Sequence, residues 1–68
     1  MTPFQRGARV TFKTRGLSPE WVDGIIDAPA IRDLNHRPVM VPVRDTNGRL
    51  WLPAAQDVLE TGREDVAA

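Results

Sequence analysis

Sixty-eight residues carry nine basic and nine acidic side chains, so the formal net charge is zero, and there is no cysteine. That bounds one domain with a small core, excludes disulfide staples and thiolate metal sites, and argues against tight non-specific binding to nucleic acid. No run approaches the roughly 20 apolar residues of a membrane helix, and the N-terminal "MTPFQRGARV" lacks the apolar region of a secretory signal, so a soluble cytoplasmic protein is expected.

Residues 1–6 are expected to be an N-terminal arm. The first strand is "ARVTFKT", where Val10 and Phe12 alternate with Arg9, Thr11 and Lys13, the period of a half-buried strand. "RGLSPE" is turn chemistry. "WVDGIIDA" is the second strand, with Val22, Gly24 and Ile26 on one face and Trp21, Asp23, Ile25 and Asp27 on the other. Gly24 marks a bulge or a close backbone approach; a bend there would give both isoleucines cover. "PAIRDLNHRP" reads as an irregular exposed loop.

The third strand, "VMVPV", places Val39, Val41 and Val43 inward and Met40, Pro42 and Arg44 outward. Pro42 has no N–H to donate, so the strand is expected to leave its partner there. "DTNG" predicts a hairpin, with Asp45 starting the turn and Asn47-Gly48 taking positive φ. The return strand, "RLWLP", then has Leu50 and Leu52 inward and Arg49 and Trp51 outward. A 3₁₀-like turn over Pro53–Gln56 and a last short strand at Val58-Leu59 follow, a helix from Pro53 to about Thr61 being the alternative. Residues 61–68 are expected to be a flexible tail. The pattern suggests no internal repeat.

Charge is blocked along the chain. Arg6, Arg9, Lys13 and Arg15 precede any acid, Glu20, Asp23 and Asp27 follow without a base, and the end is acidic except for Arg63. Strands of opposite sign would neutralise one another in a small sheet.

The run "GARVTFK…WVDGIID…VMVPVRDTNGRLWLPAAQDVLE" resembles the SH3-like superfold of Tudor, KOW and related small domains over about Gly7 to Glu60. The resemblance implies an all-β, five-stranded SH3-like barrel over residues 7–60, with a 3₁₀ turn before its last strand. Peptide-binding SH3 domains use a tyrosine-rich face, and this chain has no tyrosine. A methyl-lysine cage needs clustered aromatics; here they are Phe4, Phe12, Trp21 and Trp51. "GARV…GII…LWLP…LE" is also similar to plasmid-borne type II dihydrofolate reductases, which work as tetramers. The glutamine and tyrosine with which that family touches folate and nicotinamide have no counterparts in Arg49-Leu50-Trp51-Leu52.

Catalytic patterns are sparse. Ser18 and His36 sit in different loops, and Asp33 with His36 is too small a set for a metal. Asp23 and Asp27 on one strand would lie roughly 13 Å apart. There is no glycine-rich phosphate loop. No catalytic, cofactor-binding or metal-binding residue is therefore assigned. The expected function is a non-catalytic module binding a protein partner or a second copy through an outward face of Met40, Pro42, Trp51 and Trp21, with Arg44 and Arg49 at its rim, the residue types that interface cores favour. The competing reading is nucleic-acid binding through Arg6, Arg9, Lys13 and Arg15; the third is the reductase. A short chain opening on Met further suggests a free-standing product of the kind phages and plasmids carry.

Overall fold

The computed structural model describes residues 4–62. Seven strands run β1 (Arg9–Lys13), β2 (Trp21–Ile26), β3 (Ile31–Arg32), β4 (Pro38–Met40), β5 (Val43–Asp45), β6 (Leu50–Trp51) and β7 (Val58–Gly62), with one 3₁₀ turn, Ala55–Asp57, before the last. The fold is all-β as expected, and the 3₁₀ turn leads into a strand, not a helix. That strand runs to Gly62, so residues 61 and 62, expected in the tail, are strand; the rest of that expected tail, 63–68, and residues 1–3 of the expected arm lie outside the described residues.

The main sheet is antiparallel in the order β6-β5-β2-β1-β7, and β3 and β4 form a two-stranded sheet of their own. β6 and β7 are its edges and do not pair with each other, so the sheet is open. Its inner face carries the core. Val10, Phe12, Ile26, Val41, Val43 and Val58 are buried, and Phe4, Ala8, Val22, Ala30, Trp51 and Ala55 pack against them. Each fully buried side chain of this size contributes about 1.5–3 kcal/mol. The alternations expected for β1 and β2 hold. Ile25 nonetheless stays exposed, because β2 does not bend at Gly24: its registers with β1 and β5 are unbroken. Gly24 serves instead as the place where β5 comes close. A Cβ there would lie 2.6 Å from both the Arg44 carbonyl oxygen and Val43 Cγ1.

The run from 39 to 43 departs from the expected alternation. It is two strands joined at Val41-Pro42, where the chain passes from the small sheet into the main one. Pro42 does mark the break, but it is buried, and so are its two neighbours, while Val39 is exposed. A strand that changes sheets turns consecutive side chains the same way. The neighbouring backbone is anchored on both sides: the Val41 N–H donates to the Pro53 carbonyl at 3.0 Å, and the Asp27 N–H to the Pro42 carbonyl at 2.9 Å.

The hairpin that follows is one residue longer than the Asn-Gly pair predicts. Of its turn residues only Gly48 has positive φ, at 82°. The Asp45 N–H donates to the Arg49 carbonyl, and the Gly48 N–H to the Asp45 carbonyl, both at 3.0 Å. Asp45 Oδ1 accepts from the N–H groups of Asn47 and Arg49, both at 2.9 Å. This is a three-residue loop with glycine in the left-handed position. Val43 therefore faces Trp51 and Arg44 faces Leu50. A shift of one residue exchanges the two faces of a strand: Trp51 turns inward, and Leu50 and Leu52 stay exposed, the reverse of the sequence expectation.

The segment expected to be an irregular loop holds the same turn a second time. Asp33 Oδ1 accepts from Asn35 N–H at 2.8 Å and Arg37 N–H at 3.0 Å. The Asp33 N–H donates to the Arg37 carbonyl, and the His36 N–H to the Asp33 carbonyl, both at 3.0 Å. His36 takes the left-handed position, with φ 63°. In sequence the two turns are Arg-Asp-Leu-Asn-His-Arg (32–37) and Arg-Asp-Thr-Asn-Gly-Arg (44–49), so the chain contains a short internal repeat after all.

An L-residue in the left-handed region costs about 1–2 kcal/mol, and glycine avoids most of that. His36→Gly should therefore raise the urea unfolding midpoint, and Gly48→His should lower it, each by the equivalent of about 1 kcal/mol. Midpoints that move in the same direction would show that the two turns are not equivalent.

Candidate functional site

Trp51 is held from several sides. It lies on the inner face opposite Val43, and its ring centroid is 5.5 Å from that of Phe12 at a tilt of 59°, a pairing worth about 0.5–1.5 kcal/mol. Its Nε1–H donates to Asp45 Oδ2 at 2.9 Å, and the Arg49 guanidinium sits 4.2 Å from the indole centroid. The Asp45 carboxylate thus orders the turn with one oxygen and orients the indole with the other.

The indole is half-buried, and it lines a cleft of about 350 Å³. The end of β1 supplies Phe12, Lys13, Thr14 and Arg15; β4 supplies Met40; Leu52, Pro53 and Ala54 follow β6; Asp57 closes the 3₁₀ turn. Two contacts fix the walls. Met40 bridges Ala54 next to the bond between Val41 and Pro53. Arg15 grips Asp57 with Nε to Oδ2 at 2.8 Å and Nη2 to Oδ1 at 3.2 Å. Met40 and Leu52 remain 41% and 53% exposed, enough to meet a ligand. Trp51 also lines a second hollow of about 420 Å³ with Trp21, Asp23, Asp45 and Arg49.

The outward strip expected from the sequence does not form as one surface. Pro42 is in the core, Met40 and Trp51 share the cleft, Trp21 and Arg49 border the second hollow, and Arg44 lies on the outer face of the sheet, opposite Ile25 and Leu50. Arg44 is bound to Asp27 through Nε at 3.3 Å and Nη2 at 3.2 Å. The basic set also divides. Arg9 and Lys13 point outward from β1, with Lys13 facing the exposed Trp21, while Arg6 lies in the arm and Arg15 is neutralised by Asp57. One ion pair joins the charge blocks, Arg15–Asp57, while Asp27 of the acidic block is held by Arg44, which lies outside the basic block. Sequence reasoning missed Leu52, Pro53 and Ala54 as cleft walls, because it assigned Leu52 to the core.

Asp33 and His36 are accounted for by their turn, and among the described residues no group of three or more His, Cys, Asp or Glu could hold a metal ion. No helix among them is long and apolar enough to cross a membrane.

The Trp51 N–H, then the Arg49 N–H, hold the Asp45 carboxyl below the usual carboxylate range. Arg44 does the same for Asp27, chiefly through its hydrogen bonds. A carboxylate whose pKa is depressed on folding contributes stability that is present above its unfolded pKa, about 3.9, and is lost as pH falls through the lower folded value. Stability should therefore be flat above about pH 5 and fall as the pH drops below about 3.9, with a change in Trp51 fluorescence. Asp45→Asn should lower stability at neutral pH and flatten that acid limb. An unaltered limb in the variant would remove Asp45 as its source.

No family model matches the chain, and no curated protein or solved structure matches it either.

Proposed function

We propose that this protein is a non-catalytic binding module with an SH3-like strand arrangement, which takes an extended apolar segment of a protein partner into the Met40–Trp51–Leu52–Pro53 cleft. The strand order supports the SH3-like reading: β1, β2, β5 and β6 lie side by side, with the β3–β4 hairpin inserted between β2 and β5, and β1 also pairs with the last strand, β7, which follows a 3₁₀ turn. The observation that carries the binding reading is the fixed indole. A tryptophan tied by Asp45, Arg49 and Phe12 loses little freedom when a ligand arrives, and pre-ordered aromatic anchors are what make small interfaces strong. Beside it, Met40 and Leu52 offer apolar surface, and Lys13 at the rim complements an acidic neighbour in the ligand.

A second reading is favoured by one feature. Lys13 faces Trp21 across β1 and β2 on the outer face, with Arg9 farther along the same strand. An exposed indole beside a cation suits a stacked nucleobase and its phosphate.

Selection of a random-sequence peptide library on the immobilised protein separates the two. The cleft reading expects apolar peptides that bind wild type and lose at least tenfold in affinity to Met40→Glu or Leu52→Glu. Both positions are exposed, so a circular dichroism spectrum should stay unchanged. Trp21→Ala should leave that binding intact. Peptides indifferent to the cleft substitutions, or salt-sensitive oligonucleotide binding that depends on Trp21 and Lys13, would displace the cleft reading.

A further inference from the structure

The two Arg-Asp-x-Asn-x-Arg turns have the same internal bonds but different neighbours. In the second turn, Arg44 Nη1 donates to the Gly48 carbonyl at 2.7 Å. That leaves Nε and Nη2 side by side, and both bind the Asp27 carboxylate. In the first turn, Arg32 Nη1 donates to the corresponding carbonyl, that of His36, at 2.9 Å. The Arg32 side chain is exposed, and among the described residues nothing is bonded to its Nε or Nη2.

The strands alongside differ in the same way. On β5, the edge away from the hairpin partner is filled by β2, with Ile25 opposite Arg44 and Ile26 opposite Val43. Asp27 comes two residues after Ile25 and so reaches Arg44. On β3, no strand of the described residues fills the corresponding edge: there β3 pairs with β4 alone. The irregularity in this hairpin does not disturb that edge, since the extra residue, Val39, is on β4.

We propose that the open edge of β3 is a docking site for an extended, carboxylate-bearing segment of another protein, which pairs antiparallel with Ile31–Arg32 and places an Asp or Glu on the Arg32 fork. The second hairpin serves as a template for the occupant. The residue facing Arg32 is followed two positions later by the carboxylate, as Ile25 is by Asp27. Strand addition supplies main-chain bonds, and the paired N–H donors of arginine supply selectivity for a planar carboxylate. Ile31 is 48% exposed at the same edge, available to an apolar neighbour in the ligand. The Arg32 fork is not a cleft wall, and its register partner Pro38 does not line the cleft, but the two sites adjoin, since Ile31 faces Met40.

The test uses a blocked peptide of residues 22–28, Val-Asp-Gly-Ile-Ile-Asp-Ala, and its Asp27→Asn analogue. Each is titrated to millimolar concentration into the ¹⁵N-labelled full chain. The native peptide should shift the amides of Ile31 to Arg37 and the Arg32 Nε–H signal. The Asn analogue, and the Arg32→Gln protein, should each weaken binding roughly tenfold or more, the loss of a charge-assisted pair. Arg37→Gln removes the same charge without the fork and should change affinity by no more than about twofold. Equal binding of the two peptides, an equal loss with Arg37→Gln, shifts confined to β2 and β5, or no shift at all would each overturn the proposal. Concentration-dependent shifts at Arg32 in the free protein would assign the edge to a second copy and overturn it as well.

Discussion

The Asp45 carboxylate is one small group on which two levels of this structure depend. Oδ1 accepts the N–H groups of Asn47 and Arg49, which holds the loop at three residues. That loop length determines that Val43 faces Trp51. Oδ2 then takes the indole N–H. A buried indole without an acceptor for its N–H would be costly, so the group that turns Trp51 inward also satisfies it. Phe12 supplies the apolar contact and Arg49 the charged one. The cleft wall is a consequence: the indole rests against the core with part of its surface beside Met40 and Pro53.

The kink at Val41-Pro42 is the second constraint. A chain of this size cannot bury both faces of a five-stranded sheet, and here the small β3–β4 sheet is brought over one end by a strand that changes sheets. Val41, Pro42 and Val43 are all buried because the chain turns between them. The bond from Val41 N–H to the Pro53 carbonyl and the bridge between Met40 and Ala54 tie the segment after β6 to the segment before β5. The cleft therefore lies where the two sheets meet. Its walls are backbone-anchored, while its apolar side chains remain accessible.

Much of the main sheet was legible from residue order. Val10 and Phe12 alternate with polar neighbours, Val22 and Ile26 share a face, and Pro53 opens the approach to a 3₁₀ turn. Two features were hidden for physical reasons. Asn47-Gly48 fits a two-residue turn as well as a three-residue one, and the choice between them was made by the Asp45 side chain, which strand periodicity does not register. That single residue of register inverted the facing of Leu50, Trp51 and Leu52 and with it the expected binding strip. The 32–37 hairpin was hidden because His36 stands where its twin has glycine, and Pro29 and Pro38 mark a loop by composition. Its signal was nonetheless present as Arg-Asp-x-Asn-x-Arg, twelve residues before the second copy, in a repeat too short to look like a solenoid unit.

The two hairpins also bear on why a neutral chain carries so many arginines. Arg44 and Arg49 each complete a local structure, one by gripping Asp27 and the turn carbonyl, the other by covering the indole. Arg15 closes the cleft wall through Asp57 in the same bidentate manner. Lysine could not replace the forks of Arg15 and Arg44, since a single ammonium does not present the two parallel N–H donors that match both oxygens of a carboxylate. Structural need thus accounts for three of the arginines. Arg32 differs from Arg44 not in how its turn holds it but in what stands beside it. The same six-residue device finishes a sheet where a strand stands beside it and, at β3, leaves an edge with no strand of the described residues against it.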